Sequence, residues 1–311
     1  MIITVTLNPA VDKTIILDRL QVGNVNRIQQ IREDAGGKGI NVSKMIRNLN
    51  GETLATGFLG GNTGAFIRAE LDKMGITHDF VEIDGNTRTN FKIVDTQNQA
   101  YTDINGSGEA LPQYALEQLE NKMYGRMMES DVIIFSGSIP QNVDKSIYAK
   151  WITKAKLKGV KTVLDADGDM LREGITAGPY MIKPNIHELE RLLDKKLENV
   201  DDVIRASKCL LDYGIRIIAV SMGEQGSVFV TKENIIIAEA LKVDVKSTVG
   251  AGDSMVGALA YGISHNMALE DAITLAIAAA SASISNEGTM MGSLEQINYW
   301  KEQVKIKSVV D

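Results

Sequence analysis

The sequence has one cysteine, three histidines and no excess of positive charge, and no apolar run reaches the length of a membrane span. Cys209 cannot form an internal disulfide, and it sits in the amphipathic stretch 201–213, where a lone cysteine is usually a small packing residue. A reducing cytoplasm is the expected setting. His78, His187 and His265 are scattered along the chain, which removes most support for a histidine-held zinc or a serine–histidine triad. Residues 1–12 carry no basic stretch and include Asn8, Pro9 and Asp12, so a cleaved signal peptide is not expected. Lys plus Arg total 33 against 40 Asp plus Glu, a net charge of −7 that argues against a nucleic-acid footprint. Internal repeats, low-complexity tracts and Ser/Pro-rich linkers are also lacking.

What is present is a globular composition, 44% hydrophobic and 23% charged. Short β-branched runs at 2–7, 53–58, 131–135, 161–164, 180–182 and 215–220 read as buried strands. Helical patterns at 40–49, 63–74, 112–123, 145–158, 186–193 and 200–213 fall between most of them. That alternation predicts an α/β fold with a mostly parallel sheet covered on both faces. A hairpin at 226–238 and long helices at 252–265 and 269–285 follow. Two segments, about 13–33 and 89–105, are strand-like with no intervening helix. They predict a small antiparallel β lid inserted into a single α/β core spanning 1–311.

Two glycine motifs carry the chemistry. Thr248-Val249-Gly250-Ala251-Gly252-Asp253 runs from a strand end into an apolar-faced helix, where free amides of the first turn suit an anion. Asp253 is out of place in an anion-binding turn unless it accepts a proton, so it is a candidate general base; an ordinary first-turn aspartate is the competing reading. Ala35-Gly36-Gly37-Lys38-Gly39-Ile40-Asn41 also enters a helix, but it is no P-loop, because Lys38 is followed by glycine and position 32 is arginine. Asp12, Ser136-Gly137-Ser138, Lys183-Pro184-Asn185 with Glu188, and Ser221 to Gly226 follow strands, and Arg88 with Asn90 start the second lid segment. In an open parallel sheet, ligands bind beyond the carboxyl ends of the strands. Asn185 and Glu188 suit either a helix cap or a hydrated magnesium ion. A dinucleotide-dependent oxidoreductase is excluded, since Asn8-Pro9-Ala10-Val11-Asp12 is nothing like the glycine fingerprint after the first strand.

Gly36-Gly37-Lys38-Gly39-x-Asn41 and Gly250-Ala251-Gly252-Asp253 together resemble the two signatures of the PfkB (ribokinase-like) carbohydrate kinases. Thr6 to Asp12, Thr87 to Asn90 and Lys183-Pro184-Asn185-x-x-Glu188 agree, so the resemblance covers essentially the whole chain. It implies a ribokinase-like three-layer α/β/α sandwich and ATP- and Mg2+-dependent phosphorylation. Within the family the chain looks most like members that phosphorylate fructose 1-phosphate at the 6-hydroxyl, and somewhat less like those acting on tagatose 6-phosphate. By motif position, Asp253 is expected as base, with Gly250, Ala251 and Gly252 holding the transferring phosphoryl group. Asp12, Gly37 and Asn41 are expected on sugar hydroxyls, and Lys38, Arg88 and Arg27 on the sugar phosphate. Lys183, Asn185, Ser221, Gly223, Gly226 and Gly252 are expected along the nucleotide, with Glu188 acting on magnesium through water. The resemblance further implies a homodimer paired through the lid. A kinase for unphosphorylated acceptors disagrees with the Lys38 and Arg88 pair, and a silent binding protein with the intact Asp253.

Overall fold

The structure, a computed structural model, describes residues 1–128 and 131–309. It opens with β1 (Ile2–Thr6), entirely buried, and passes straight into β2 (Ala10–Leu17) and β3 (Gln30–Gly36) of a separate small sheet. α1 (Lys38–Asn48), β4 (Thr53–Leu59) and α2 (Gly61–Lys73) return the chain to the main sheet. The two-residue strands β5 (Thr77–His78) and β6 (Val81–Glu82) precede β7 (Arg88–Asp95) and β8 (Ala100–Asn105), which complete the small sheet. Next come α3 (Gln113–Arg126), β9 (Val132–Ser136), α4 (Ile147–Leu157), β10 (Lys161–Asp165) and α5 (Gly168–Thr176). β11 (Met181–Ile182), α6 (Ile186–Leu193), α7 (Val200–Leu210) and β12 (Ile217–Ser221) continue the alternation. A hairpin of β13 (Ser227–Val230) and β14 (Ile235–Ala238) leads to α8 (Ala251–Ser264), α9 (Leu269–Ile284), α10 (Leu294–Lys301) and β15 (Ile306–Val309).

The main sheet runs β15-β14-β13-β12-β11-β10-β9-β1-β4-β5, with β6 also on β4. It is parallel from β12 to β5, and the β13, β14 and β15 pairings are antiparallel. Period-two alternation splits its side chains between two cores. Ile3, Val5, Ile133 and Phe135 pack with Leu119, Trp151 and Val203 of α3, α4 and α7. Ile2, Val132 and Ile134 pack on the other face with Met45, Val256 and Ile273 of α1, α8 and α9. Both faces being covered explains why the strands read as continuous apolar runs, and the result is the expected three-layer α/β/α sandwich.

The small sheet has the order β3-β2-β7-β8. Its two hairpins are antiparallel, while their first strands, β2 and β7, lie side by side in parallel. Both strands leave the same end of one parallel sheet, so they set out in the same direction. They start at Ala10 and Arg88, each a little before the expected limits, because the chain enters the lid directly from β1 and β6.

Candidate active site

The cleft is built where β1, β9, β10 and β11 end, beneath the small sheet and opposite the N-terminus of α8. Gly250 caps α8 in the left-handed conformation (φ 84°), which a side chain would resist, and the helix then starts at Ala251. This turns the first amides of α8 toward the cleft. Asp253 lies in that first turn, 7% exposed, and Asn41 Nδ2 of α1 donates to its Oδ2 at 2.8 Å. Burial pushes the Asp253 carboxyl up to about 6, reinforced by the anion Asp165 and opposed by Lys38, Asn41 and Lys183.

Asp165, at the end of β10 and 1% exposed, organises the cations. Its Oδ1 accepts from Lys38 Nζ at 3.1 Å and stands 3.5 Å from Lys183 Nζ. Burial alone would raise it, but Lys183 and Lys38 outweigh burial and hold it below the ordinary carboxylate range. Burial likewise works against the Lys38 ammonium, yet Asp165, Asp253 and Glu188 more than compensate, so it stays charged. Lys183 reaches the anion turn itself, for a Cβ on Gly252 would lie 3.2 Å from its Nζ. Two ammonium groups from different loops thus converge beside a helix N-terminus, an arrangement suited to a phosphoryl group.

A second group of polar side chains, expected to meet a sugar phosphate, lies under the small sheet. Asp12 on β2 accepts from Asn90 Nδ2 of β7 at 2.9 Å, and burial raises its carboxyl above the ordinary value. Arg88 Nη1 donates to the carbonyl of Gly106 at 2.7 Å, and Nη2 approaches Ser138 Oγ at 3.4 Å. Gly37 adopts φ 117°, and a Cβ on Gly39 would sit 2.4 Å from Thr6 Oγ1, so the glycines let α1 start tight against β1. Six buried polar atoms here have no hydrogen-bond partner among the described residues: Thr6 Oγ1, Asn41 Oδ1, Arg88 Nε, Asn90 Oδ1, Ser136 Oγ and Asp165 Oδ2. Buried donors and acceptors left open cost free energy unless a ligand meets them. Their mix of hydroxyl, amide, guanidinium and carboxylate suits a polyol phosphate.

The nucleotide-side residues are set farther along the strand ends. Asn185 caps α6 in a capping box with Glu188: Asn185 Oδ1 accepts from the Glu188 amide at 2.9 Å, and Glu188 Oε2 accepts from the Asn185 amide at 2.8 Å. Asn185 also forms an isolated bridge with Ser221 at the end of β12. Gly223 (φ 59°) and Gly226 (φ 88°) shape the following turn, and a Cβ on Gly226 would strike the Ala238 carbonyl at 2.1 Å. Gly226 therefore has a packing duty whatever else it does. Arg27 lies apart, exposed in the loop between β2 and β3. Sequence reasoning missed Asp165 and the buried Lys44 of α1; a strand-terminal aspartate followed by Ala166-Asp167-Gly168 was the available signal for the first.

A model of the pfkB family carbohydrate kinases matches residues 5–296. The chain belongs to that family. It is 36% identical over 283 residues to a 1-phosphofructokinase of Borreliella burgdorferi, covering 91% of each chain. A phosphofructokinase-2 structure from Escherichia coli in complex with substrates and products superposes with a TM-score of 0.93 at 30% identity, covering 97% of this chain and 98% of that one. A tetrameric inhibited form of the same Escherichia coli enzyme superposes at 0.90 with 29% identity and the same coverage. The two glycine motifs read from the sequence lie within the matched span, and they meet at the Asn41–Asp253 contact.

Proposed function

We propose that this pfkB kinase transfers the terminal phosphoryl group of ATP to the 6-hydroxyl of fructose 1-phosphate, giving fructose 1,6-bisphosphate. The observation that carries the chemistry is Asp253, buried in the first turn of α8 beside the anion turn and hydrogen-bonded to Asn41. The substrate assignment draws on the 1-phosphofructokinase relative. In this reading Asp253 takes the hydroxyl proton as the alcohol oxygen attacks, and Asn41 holds the carboxylate in line. The amides of Gly250, Ala251, Gly252 and Asp253 hold the transferring group, with Lys38 and Lys183 neutralising its developing charge. Asp12, Gly37 and Asn41 hold sugar hydroxyls. Arg88, with Lys38, meets the sugar phosphate, and Arg27 would join only after lid movement or from a second subunit.

Lys183, Asn185, Ser221, Gly223 and Gly226 border the nucleotide. Among the described residues no three His, Cys, Asp or Glu side chains converge as a metal cage. Glu188, buried at the start of α6 and capping it through Oε2, is a donor that fits Mg2+, which keeps several waters and is commonly held by one or two carboxylates plus substrate phosphates. Glu188 would hold it through water, and the ion would neutralise charge on the nucleotide phosphates.

The lid excludes water from the transfer. Its outer face pairs Ile15 with Ile31 and Ile93, and Phe91 with Ile104, with Ile31, Phe91 and Ile104 exposed. An apolar sheet face of this kind supports a homodimer through the lid. The cytoplasm is the setting that fits the lone exposed Cys209.

The test is a comparison of kcat/KM for fructose 1-phosphate, tagatose 6-phosphate, fructose 6-phosphate and fructose with purified enzyme. Fructose 1-phosphate is expected to be the best acceptor. A higher value for tagatose 6-phosphate or another acceptor overturns the assignment.

A further inference from the structure

We propose that Lys44, which has no part in the chemistry above, is a positioning residue whose ammonium ties α1 to the root of the lid and serves as counter-charge to the paired carboxylates Asp12 and Asp34. The proposal rests on the sugar-phosphate kinase reading, in which Asp12 accepts hydrogen bonds from the acceptor.

Lys44 follows Asn41 by three residues on α1, so the two share a helix face. It is 8% exposed, an uncommon place for lysine. Its Nζ donates to the carbonyl of Ala35, next to the last residue of β3. That carbonyl belongs to the strand whose end forms the lid's root. One residue on, a Cβ at Gly36 would lie 2.1 Å from Asp12 Oδ2, so Asp12 is packed directly on the same backbone. Asp12 and Asp34 stand opposite each other in the β2–β3 register. Like charges in that position destabilise a strand pair.

The charged surroundings are few. Asp12 is faced by Lys44, Asp34 and Arg88, with Asn90 as hydrogen-bond donor. Burial works against the Lys44 ammonium and lowers it from the ordinary lysine value, while Asp34, Asp12, Glu70 of α2 and Asp253 of α8 oppose that fall. Asp34 has a second cation, Arg32, whose Nε donates to its Oδ2 at 2.9 Å. Asp12 shares Lys44 with these anions and gains only Arg88 besides. Burial raises Asp12, and Lys44 is the first charge opposing that rise. Without Lys44 the Asp12 carboxyl would be raised further, and a neutral carboxyl accepts fewer hydroxyl groups.

Steady-state kinetics of the full chain with fructose 1-phosphate and ATP at pH 6 and pH 8 tests this. Lys44→Gln keeps a donor for the Ala35 carbonyl and removes the charge. Its sugar-phosphate KM is expected to rise roughly tenfold, more at the lower pH, while the KM for ATP stays within about twofold. Lys44→Arg restores the charge and should bring the sugar KM back toward wild type. Asp34→Asn, which removes the facing anion, should weaken the pH dependence of the sugar KM. A Lys44→Gln enzyme with unchanged sugar KM at both pH values, or with sugar and ATP KM rising together and no pH dependence, overturns the proposal. If Lys44→Gln does not fold, an Asp34→Asn enzyme with wild-type pH dependence overturns it by itself. Wild-type enzyme inactive on every sugar phosphate overturns the functional reading instead.

Discussion

Asp253 combines the two properties that a base in an anion site needs: a buried carboxylate, and an amide at 2.8 Å that aims it. Asp253→Asn is expected to lower kcat by about 10²–10⁴-fold, while ATP affinity measured by calorimetry stays near wild type. Burial that lifts the carboxyl from 3.8 to about 6 costs the folded state ~3 kcal/mol once the group is ionised. Because the folded state favours the protonated form, that cost is absent at acidic pH and grows as pH rises through about 6. Asp253→Asn should therefore melt at a higher temperature than wild type at pH 8, with a smaller difference at pH 5. The acid limb of kcat/KM should lie near pH 6, as a carboxylate base with this value in the free enzyme requires. Asp165 tests the same electrostatics from the other side. Asp165→Asn leaves the buried ammonium of Lys183 and the partly exposed one of Lys38 short of their partner and should cost ~3–5 kcal/mol in chemical denaturation. Removing this anion also relieves Asp253, so the acid limb should move to lower pH.

At the scale of elements, strands buried on both faces were legible because each is an unbroken apolar run, and α6 was found with its limits intact, at Ile186–Leu193. The two glycine motifs were legible because their glycines have geometric duties at helix starts. α5 was hidden because Gly174 breaks its helical pattern, and that glycine is there to let the helix approach β10: a Cβ would sit 2.4 Å from Leu164 Cδ2. Gly174→Ala gains helix propensity, yet should destabilise the protein by ~1–3 kcal/mol through overpacking of the fully buried Leu164. β15 is four residues of mixed polarity whose pairing with β14 depends on a contact about 70 residues away, which no local pattern reports. α10 did carry a local mark, the Ser293 to Gln296 capping box. Asp165 and Lys44 escaped notice for another reason. Their roles depend on which side chains meet across loops, and only the fold brings Lys38 and Lys183 to one carboxylate oxygen.

Across the whole molecule, a net charge of −7 coexists with a site for two polyanions because the positive potential is local. Lys38, Lys183, Arg88 and the α8 N-terminus stand inside one cleft, held there by the carboxylates Asp165, Asp12 and Asp253. The small sheet carries Asp12 and Asn90 on its inner face and Phe91 and Ile104 on its outer face, so the proposed dimer would share this element with the cleft. Phe91→Glu should convert a dimer to a monomer in light scattering, with the sugar KM more affected than the KM for ATP. Wild type already monomeric and fully active would remove the lid-paired dimer. The most direct test of the whole account is a 31P NMR time course of the wild-type enzyme with equimolar ATP, Mg2+ and fructose 1-phosphate. The account predicts ADP and a new C6 phosphomonoester appearing in equal amounts, with the C1 phosphate retained; release of inorganic phosphate, or phosphate growing at any other position, would contradict it.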